Sequence, residues 1–291
     1  MRLVLLHGRS QGKKTEELLR KEWIPALQHG VKAAGAGPLA DDLDIRVPFY
    51  GKKLDELVEN PPAGAIVSRG GGGLPDPVQA ELLIELATRA GVTDEQIAQE
   101  MGVEVVPRGP ANWEWVQAVG RALTRHAPWI SEIALDRFLT DVGAYLTNRA
   151  VAAEIDGIVR PHLIGEPAVV VGHSLGSVVA YSVLAEVRAQ AEVPLFVTVG
   201  SPLGIPVVKR YLPRPLGMPA GVRKWFNGAD ERDPVALHSR LDRDTFPADI
   251  ENASDIHNPK DNPHGIVGYL NDQTVARRIR DALTQVPALG R

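Results

Sequence analysis

Residues 169–180 read VVVGHSLGSVVA, and this stretch carries a strong structural signal. A run of valines precedes the Gly-His-Ser-Leu-Gly segment, and a helix-compatible run follows it. The pattern G-x-S-x-G is weak by itself, but a strand before it and a helix after it are the setting of a nucleophile elbow. The stretch therefore predicts that the hydroxyl of Ser174 projects from a sharp turn above a sheet. An incidental glycine–serine turn is the alternative interpretation.

The two glycines of this turn have a steric explanation. Side chains in place of Gly172 and Gly176 would collide with the adjacent strand or helix, so glycine is expected at both positions. The following helix begins directly behind Ser174, and its N-terminal dipole favours negative charge beside the hydroxyl.

The same region carries no formal charge between Glu166 and Glu186, which approaches the length of a membrane span. However, it contains Pro167, two glycines, His173 and three serines. A buried strand that turns into a buried helix explains this composition better than a membrane helix does. We therefore expect no integral membrane segment.

Strand-like and helical stretches alternate along the chain, which is typical of a parallel sheet with helices on both faces. Helical patterns cover residues 15–28, Val78–Ala90 and Asp272–Leu283. The expected fold is α/β: one domain over residues 1–291, with a mostly parallel sheet of about six strands flanked by helices. The predicted strands are Arg2–Leu6, Asp44–Phe49, Ala168–Val171, Val193–Val199, Val222–Phe226 and Asp249–Ala253.

A helical stretch over residues 107–160 interrupts the alternation and contains Trp113, Trp115 and Trp129. An insertion between the second and third strands would lie near the carboxyl ends of the strands, where open α/β sheets bind ligands. The stretch has two interpretations of equal weight. It is either a helical cap over a site or an ordinary pair of helices whose tryptophans fill the core.

The composition limits the function. With 44% hydrophobic residues, 23% charged residues and a net charge of −4, the chain is ordinary for a globular protein and gives no electrostatic reason to expect a nucleic-acid partner. The absence of cysteine excludes disulfides, thiolate metal sites and a cysteine nucleophile, and it fits a reducing compartment. The N-terminus does not resemble a signal peptide. We expect a cytoplasmic protein, and because no cluster of metal-ligating residues is apparent in the sequence, we propose no metal.

A serine nucleophile needs a base, and the base needs an orienting carboxylate. In this architecture the chain order is serine, then the acid, then histidine. His264, in NPHGIVGYL, is the favoured base because it follows the last strand and lies in a loop before the final helix. His257 is the nearest competitor, whereas His238 lies too close to the acid segment.

The acid should follow the fifth strand, where WFNGADERDPVAL (225–237) offers Asp230, Glu231 and Asp233. Asp233 is favoured because the proline that follows it fixes the chain just beyond the carboxylate. Asp230 is the alternative acid, or a residue that braces the loop. Surface solvation explains at least one of the three.

The N-terminal stretch HGRSQGKKT (7–15) has two interpretations. As a phosphate loop it departs from G-x-x-x-x-G-K-[ST], because Gly8 and Gly12 are one residue too close and a lysine replaces the hydroxyl side chain that would ligate Mg²⁺. As the turn after the first strand it contributes to an oxyanion hole, with the backbone N–H groups of Arg9 and Leu175 as donors. The second interpretation is favoured.

Five segments in a shared order, LLHGRS, VVVGHSLGSVVAYSVL, VTVGSPLG, WFNGADERDPVAL and NPHGIVGYL, resemble the α/β-hydrolase superfamily of serine esterases and lipases. The resemblance implies a mostly parallel sheet, a triad of Ser174, Asp233 and His264, and ester hydrolysis through an acyl-enzyme without a cofactor. Two strands that usually precede the oxyanion loop in this family are missing from the pattern, so a reduced sheet is expected.

The expected function is that of a serine hydrolase acting on a small-molecule or lipid carboxylic ester. Thioesterase and peptidase activities of the same triad are not separated from it, because no substrate-binding motif is evident. A hydrolase-like binding or regulatory module without turnover is the alternative from another class, since a fold alone does not establish a function. The sequence does not indicate partner proteins.

Overall fold

The computed structural model describes residues 1–8, 14–61, 76–102, 113–126, 132–236 and 238–284. The strands are β1 (Arg2–Leu6), β2 (Asp44–Arg46), β3 (Ala168–His173), β4 (Phe196–Val199), β5 (Trp225–Gly228) and β6 (Glu251–Ala253). They form one six-stranded sheet in the order β2-β1-β3-β4-β5-β6. Every neighbouring pair of strands is parallel. The α/β class and the parallel sheet predicted from the sequence are confirmed.

Helices connect the strands and cover both faces of the sheet. In chain order they are α1 (Glu16–Ala33), α2 (Gly51–Glu59), α3 (Pro77–Arg89), α4 (Asp94–Met101), α5 (Trp113–His126), α6 (Glu132–Thr147), α7 (Arg149–Leu163), α8 (Leu175–Val187), α9 (Pro206–Tyr211), α10 (Ile266–Asn271) and α11 (Gln273–Thr284). None of these described helices combines the length and the apolar character that a membrane crossing requires.

Prolines shorten two of the predicted strands. The second strand was expected over Asp44–Phe49 but ends at Arg46, because Pro48 has no N–H to continue the ladder. The fourth was expected from Val193, but Pro194 interrupts it and regular pairing begins at Phe196. Isolated from the main ladder, Val193 makes a single bridge to Val222. The fifth strand accordingly begins at Trp225 rather than Val222, and the sixth covers only Glu251–Ala253.

Side chains alternate between the two faces of the sheet, as the strand period of two requires. Leu3 and Leu5 of β1 belong to the hydrophobic cluster formed with α1, α10 and α11. Val4 and Leu6 belong to a larger cluster on the opposite face, with residues of α2 to α9. The sheet is therefore buried on both faces, which explains the unbroken apolar run of β3.

The helices of the 107–160 stretch pack into the larger cluster. Trp115 of α5, Phe138 of α6 and Val151 of α7 are buried in the same cluster as Val4 and Val170 of the sheet. Trp115 is therefore a core residue, whereas the side chain of Trp113 is not among those that the structure describes. Trp129 lies outside the described residues.

The strand order reverses beside β1. From β1 the chain crosses to β2 on one side, whereas β3 and all later strands lie on the other side. Such a switch point opens a crevice at the carboxyl ends of the strands. Because Leu6 is level with Gly172 in the β1–β3 ladder, His7 and Gly8 lie beside His173 and Ser174 in this crevice.

Candidate active site

Ser174 occupies a strained turn between β3 and α8. Its backbone φ is 54° and its ψ is −129°, a conformation that L-residues rarely adopt. The side chain is buried, and its Oγ has no hydrogen-bond partner among the described residues. This is the elbow geometry that the sequence predicts.

The flanking glycines allow the turn to form. A Cβ at position 172 would lie 2.6 Å from Cα of Ser177 in the following helix. A Cβ at position 176 would lie 2.5 Å from the carbonyl oxygens of Leu6 and His7 on the neighbouring strand. The steric explanation given for Gly172 and Gly176 from the sequence is therefore correct: one glycine faces the helix and the other faces the strand.

Two further serines, Ser177 and Ser201, stabilise the turn at Ser174 through hydrogen bonds. The Ser177 hydroxyl donates to the Ser174 carbonyl at 2.6 Å and lies 2.8 Å from the Ser201 hydroxyl. Ser201 also accepts the backbone N–H of Leu203 at 3.3 Å. These hydrogen bonds connect the turn after β3 to the turn after β4. This role is not predictable from the local sequence, because it depends on which loops are neighbours in space.

His264 and Asp233 are brought together by the loops after β5 and β6. His264 donates its Nδ1–H to the Asp233 carboxylate, 2.8 Å from Oδ2 and 2.9 Å from Oδ1. With that proton on Nδ1, the other ring nitrogen, Nε2, carries a lone pair and can act as a base. Nε2 is buried and has no hydrogen-bond partner among the described residues.

Asp233 is held on several sides. Its side chain is fully buried, and its Oδ1 accepts the backbone N–H groups of Val235 at 2.8 Å and of Ala236 at 3.4 Å. Its Oδ2 accepts the Tyr269 hydroxyl at 2.6 Å. A buried carboxylate is costly unless such donors compensate for the lost water. The turn after Pro234 supplies two of them.

Asp230, the alternative acid, has a different partner. Its carboxylate binds the Arg232 guanidinium at 2.6 Å and the backbone N–H of Asn258 at 2.7 Å. Burial alone would raise the pKa of Asp230, but the Arg232 guanidinium and the backbone donors hold it below its usual value. Asp230 therefore braces the loop, as the second interpretation of this residue supposed. His257, the alternative base, is exposed.

Asn258 connects this brace to the loop that carries His264. Its side-chain N–H donates to the carbonyl oxygen of Pro263 at 2.7 Å, and its backbone carbonyl oxygen accepts the Arg232 guanidinium at 2.7 Å. The position of His264 is thus tied to the Asp230–Arg232 pair. A sequence inspected one segment at a time does not reveal this connection.

His173, the residue before the candidate nucleophile, contacts the candidate base directly. Its Nε2–H donates to the backbone carbonyl of His264 at 2.8 Å, and the two imidazole rings are 4.6 Å apart. A Cβ at Gly8 would lie 3.2 Å from Nδ1 of His173 and 2.8 Å from Cβ of Ser174. The elbow, the β1 turn and the His264 loop therefore meet at this side chain.

The turn after β1 is fixed by a buried histidine. Nε2 of His7 accepts the backbone N–H of Tyr50 at 3.1 Å, and its Nδ1–H donates to the Gly8 carbonyl at 2.6 Å. The imidazole of His7 also stacks on the phenol ring of Tyr50, with the ring centroids 3.9 Å apart. Burial lowers the pKa of His7 to about 4, so the imidazole is neutral at physiological pH. Arg9, the expected oxyanion donor, lies outside the described residues.

Leu175 is the first residue of α8 and is fully buried. The first N–H groups of a helix have no intrahelical acceptor, so this N–H is available beside Ser174. The dipole of α8 adds positive potential at the same place. This arrangement can stabilise an oxyanion that forms on an acyl group attached to Ser174.

Comparison of the chain with protein-family models, curated proteins and solved structures finds no significant match. The fold places the chain in the α/β class, with a histidine–aspartate pair and a strained serine at the carboxyl ends of parallel strands. In the described part of the chain, no three acidic or histidine side chains are grouped so that they could hold a metal ion.

Proposed function

We propose that this chain is a serine hydrolase of the α/β-hydrolase type that cleaves a carboxylic ester, with Ser174, His264 and Asp233 as its triad. The observation that carries the proposal is the pairing of His264 with Asp233, on a loop whose backbone is hydrogen-bonded to His173, the residue before the strained Ser174. The chain order serine, aspartate, histidine and the site at the switch point of a parallel sheet both support it. A cytoplasmic location is part of the proposal.

In the acylation step, His264 Nε2 takes the Ser174 hydroxyl proton while Oγ attacks the ester carbonyl carbon. The carbonyl oxygen becomes an oxyanion, which accepts the N–H of Leu175 and, as the expected second donor, that of Arg9. Each such donor contributes about 3 kcal/mol in the transition state. The Asp233 carboxylate stabilises the imidazolium and keeps its Nδ1–H directed away from the serine.

The tetrahedral intermediate then collapses, and the bond to the alcohol oxygen breaks. The alcohol leaves with the proton held on Nε2, and the acyl group stays on Ser174 Oγ. In the second half, Nε2 takes a proton from water, hydroxide attacks the acyl carbon, and the serine recovers that proton as the carboxylic acid departs. The cycle consumes one ester and one water and needs no cofactor.

The decisive experiment combines active-site labelling with turnover. Wild type should be labelled by a fluorophosphonate probe and should hydrolyse p-nitrophenyl esters, whereas Ser174→Ala should lose both activities. Ser239→Ala, a partly exposed serine in another loop, is the matched control and should behave as wild type. An unlabelled wild type, or equal labelling of Ser174→Ala, would contradict the proposal.

The same assay can define the substrate further. Esters of increasing acyl length measure the space available next to Ser174, and matched thioester and amide substrates separate esterase activity from thioesterase and peptidase activity. An ester that binds but is never turned over, with no change in affinity in Ser174→Ala, would instead support a binding module.

A further inference from the structure

Tyr269 lies in α10, five positions after His264, and its side chain is fully buried. Its hydroxyl donates to Oδ2 of Asp233 at 2.6 Å and accepts the backbone N–H of Asp230 at 3.1 Å. Burial, with the charge of Asp233, raises the pKa of Tyr269 well above its usual value, so the hydroxyl keeps its proton. The phenol therefore acts as a fixed donor to the carboxylate.

The hydrogen bonds of Asp233 divide between its two oxygens. Oδ1 accepts the backbone N–H groups of Val235 and Ala236, and Oδ2 accepts the Tyr269 hydroxyl, while Nδ1 of His264 lies within hydrogen-bond distance of both oxygens. Donors on both oxygens prevent rotation of the carboxylate about χ2. Without the hydroxyl, Oδ2 would keep only its bond to His264.

The ring of Tyr269 is itself held in place. A Cβ at Gly200, in the turn after β4, would lie 3.1 Å from Cε2 of Tyr269 and 2.9 Å from Oδ2 of Asp233. The centroid of the Tyr269 ring also lies 6.1 Å from the centroid of the His173 ring. The phenol is thus hydrogen-bonded to Asp233, the candidate acid, and lies next to His173, which is hydrogen-bonded to the backbone of the candidate base.

We infer that Tyr269 is a positioning residue for the proposed hydrolysis, whose hydroxyl fixes the Asp233 carboxylate in the orientation that holds the His264 imidazole. This inference rests on the proposed function. Tyr269 touches neither Ser174 Oγ nor the substrate in the proposed steps, so it acts only through Asp233. Its loss should therefore lower the rate of the chemical step rather than the affinity for substrate.

The chain offers a matched control in Tyr181. This tyrosine is also buried, and its hydroxyl also bonds at both ends, donating to the carbonyl of Gly217 and accepting its N–H, each at 3.2 Å. Tyr269→Phe and Tyr181→Phe both remove one buried hydroxyl and two hydrogen bonds. Both should lower the melting temperature, but only the first removes a donor from Asp233.

The experiment compares kcat, KM and the rate of fluorophosphonate labelling, measured well below the lower of the two melting temperatures. In Tyr269→Phe we expect kcat and the labelling rate to fall about tenfold, the effect of a lost charge-assisted hydrogen bond, with KM within about twofold of wild type. Tyr181→Phe should retain wild-type kcat. Equal kcat values in the two variants would overturn the inference.

A double variant tests the route of the effect. Because Tyr269 acts through Asp233, adding Tyr269→Phe to Asp233→Asn should cause no further loss of kcat. A further tenfold loss in that background would show an independent role and would also overturn the inference.

A measurement on wild type keeps the test valid even where Tyr269→Phe does not fold. In a proton NMR spectrum, a phenolic proton that is hydrogen-bonded to a carboxylate should give a slowly exchanging resonance downfield of the amide region. This resonance should show a nuclear Overhauser effect to the ring protons of Tyr269. Absence of this resonance would overturn the inference. Failure of Ser174→Ala to abolish turnover would instead refute the proposed function, so the two failures are distinguishable.

Discussion

Nδ1 of His264 lies 2.8 Å from Oδ2 of Asp233, although 31 positions separate the two residues in the sequence. The contact requires the loops after β5 and β6 to fold over the carboxyl ends of the sheet. It also sets the tautomer of the imidazole, because a carboxylate can only accept the Nδ1 proton. In the neutral imidazole, the nitrogen left without a proton is therefore Nε2, and this choice is made by a residue on another loop.

Replacing Asp233 by asparagine should abolish most of the activity. In Asp233→Asn the side-chain amide can donate a hydrogen bond to Nδ1 of His264. This hydrogen bond favours the tautomer that carries its proton on Nε2, so no base is left for Ser174. We expect kcat to fall about 10⁴-fold, as in a serine protease triad without its aspartate. The exposed neighbour Glu231 loses the same charge in Glu231→Gln and should keep wild-type kcat. A similar kcat in both variants would contradict the assignment of the acid.

A side chain at position 200 should disturb both the fold and the site. Gly200 has a φ of 55°, and an added Cβ would lie 2.9 Å from Oδ2 of Asp233 and 3.2 Å from Cε1 of His264. Gly35 has a similar φ of 66°, but an added Cβ there would meet no atom within 4 Å. Gly35→Ala thus measures the backbone penalty alone, which is about 1 kcal/mol of unfolding free energy.

Gly200→Ala should cost about 2–4 kcal/mol, because it adds crowding to the same backbone penalty. It should also lower kcat at least about tenfold by displacing the Asp233–His264 pair. Denaturant unfolding and ester turnover of the two alanine variants check both values. If the variants prove equally stable and equally active, the contacts at Gly200 are not as tight as described.

The pH dependence of stability should contain a contribution from Asp156. This carboxylate is buried in α7 and accepts the Tyr145 hydroxyl at 2.7 Å, and burial raises its pKa to about 6. A raised folded-state pKa means that the folded protein favours the protonated acid. The resulting stabilisation is complete below the unfolded pKa of 3.8 and is lost as the pH rises through about 6.

Asp156→Asn removes this loss, because an amide stays neutral and its oxygen can still accept the Tyr145 hydroxyl. The variant should exceed wild type in unfolding free energy at pH 8 by up to about 3 kcal/mol, with a smaller difference at pH 4. Glu154→Gln, an exposed acid on the same helix, should change stability by less than about 0.5 kcal/mol at either pH. A difference for Asp156→Asn that is independent of pH would contradict this origin.

Local sequence signals predicted the fold and the elbow. The valine run of β3, the glycines around Ser174 and the alternation of strands and helices each report on a few consecutive residues, and the structure agrees with them. The errors in strand bounds also have local causes, since Pro48 and Pro194 remove N–H donors that regular ladders need. Both strand bounds therefore follow from the positions of these prolines in the sequence.

The supporting residues of the site could not be predicted in this way. Asp233 was preferred to Asp230 through the turn at Pro234, and the structure does pair Asp233 with His264. However, the hydroxyl of Tyr269 and the bracing role of Asn258 depend on contacts between separate loops. Asparagine is common in turns and Tyr269 lies in a short apolar helix, so nothing in their local sequence distinguishes these two residues. The catalytic roles of the triad residues stay predictions until turnover is measured.

The bond from His173 to the backbone of His264 gives a last prediction. The imidazole of His173 connects the end of β3 to the loop of the base, with its Nε2–H 2.8 Å from the His264 carbonyl. In His173→Phe an aromatic ring remains but the N–H donor is lost. The loop that carries His264 should then be less firmly positioned, and kcat should fall about fivefold. Glutamine can place an amide N–H near the same point, so His173→Gln should recover most of this loss. Ester kinetics and labelling rates of the two variants provide the test. Because both substitutions remove the imidazole, a fall of the same size in each would mean that the donor is not what positions the base.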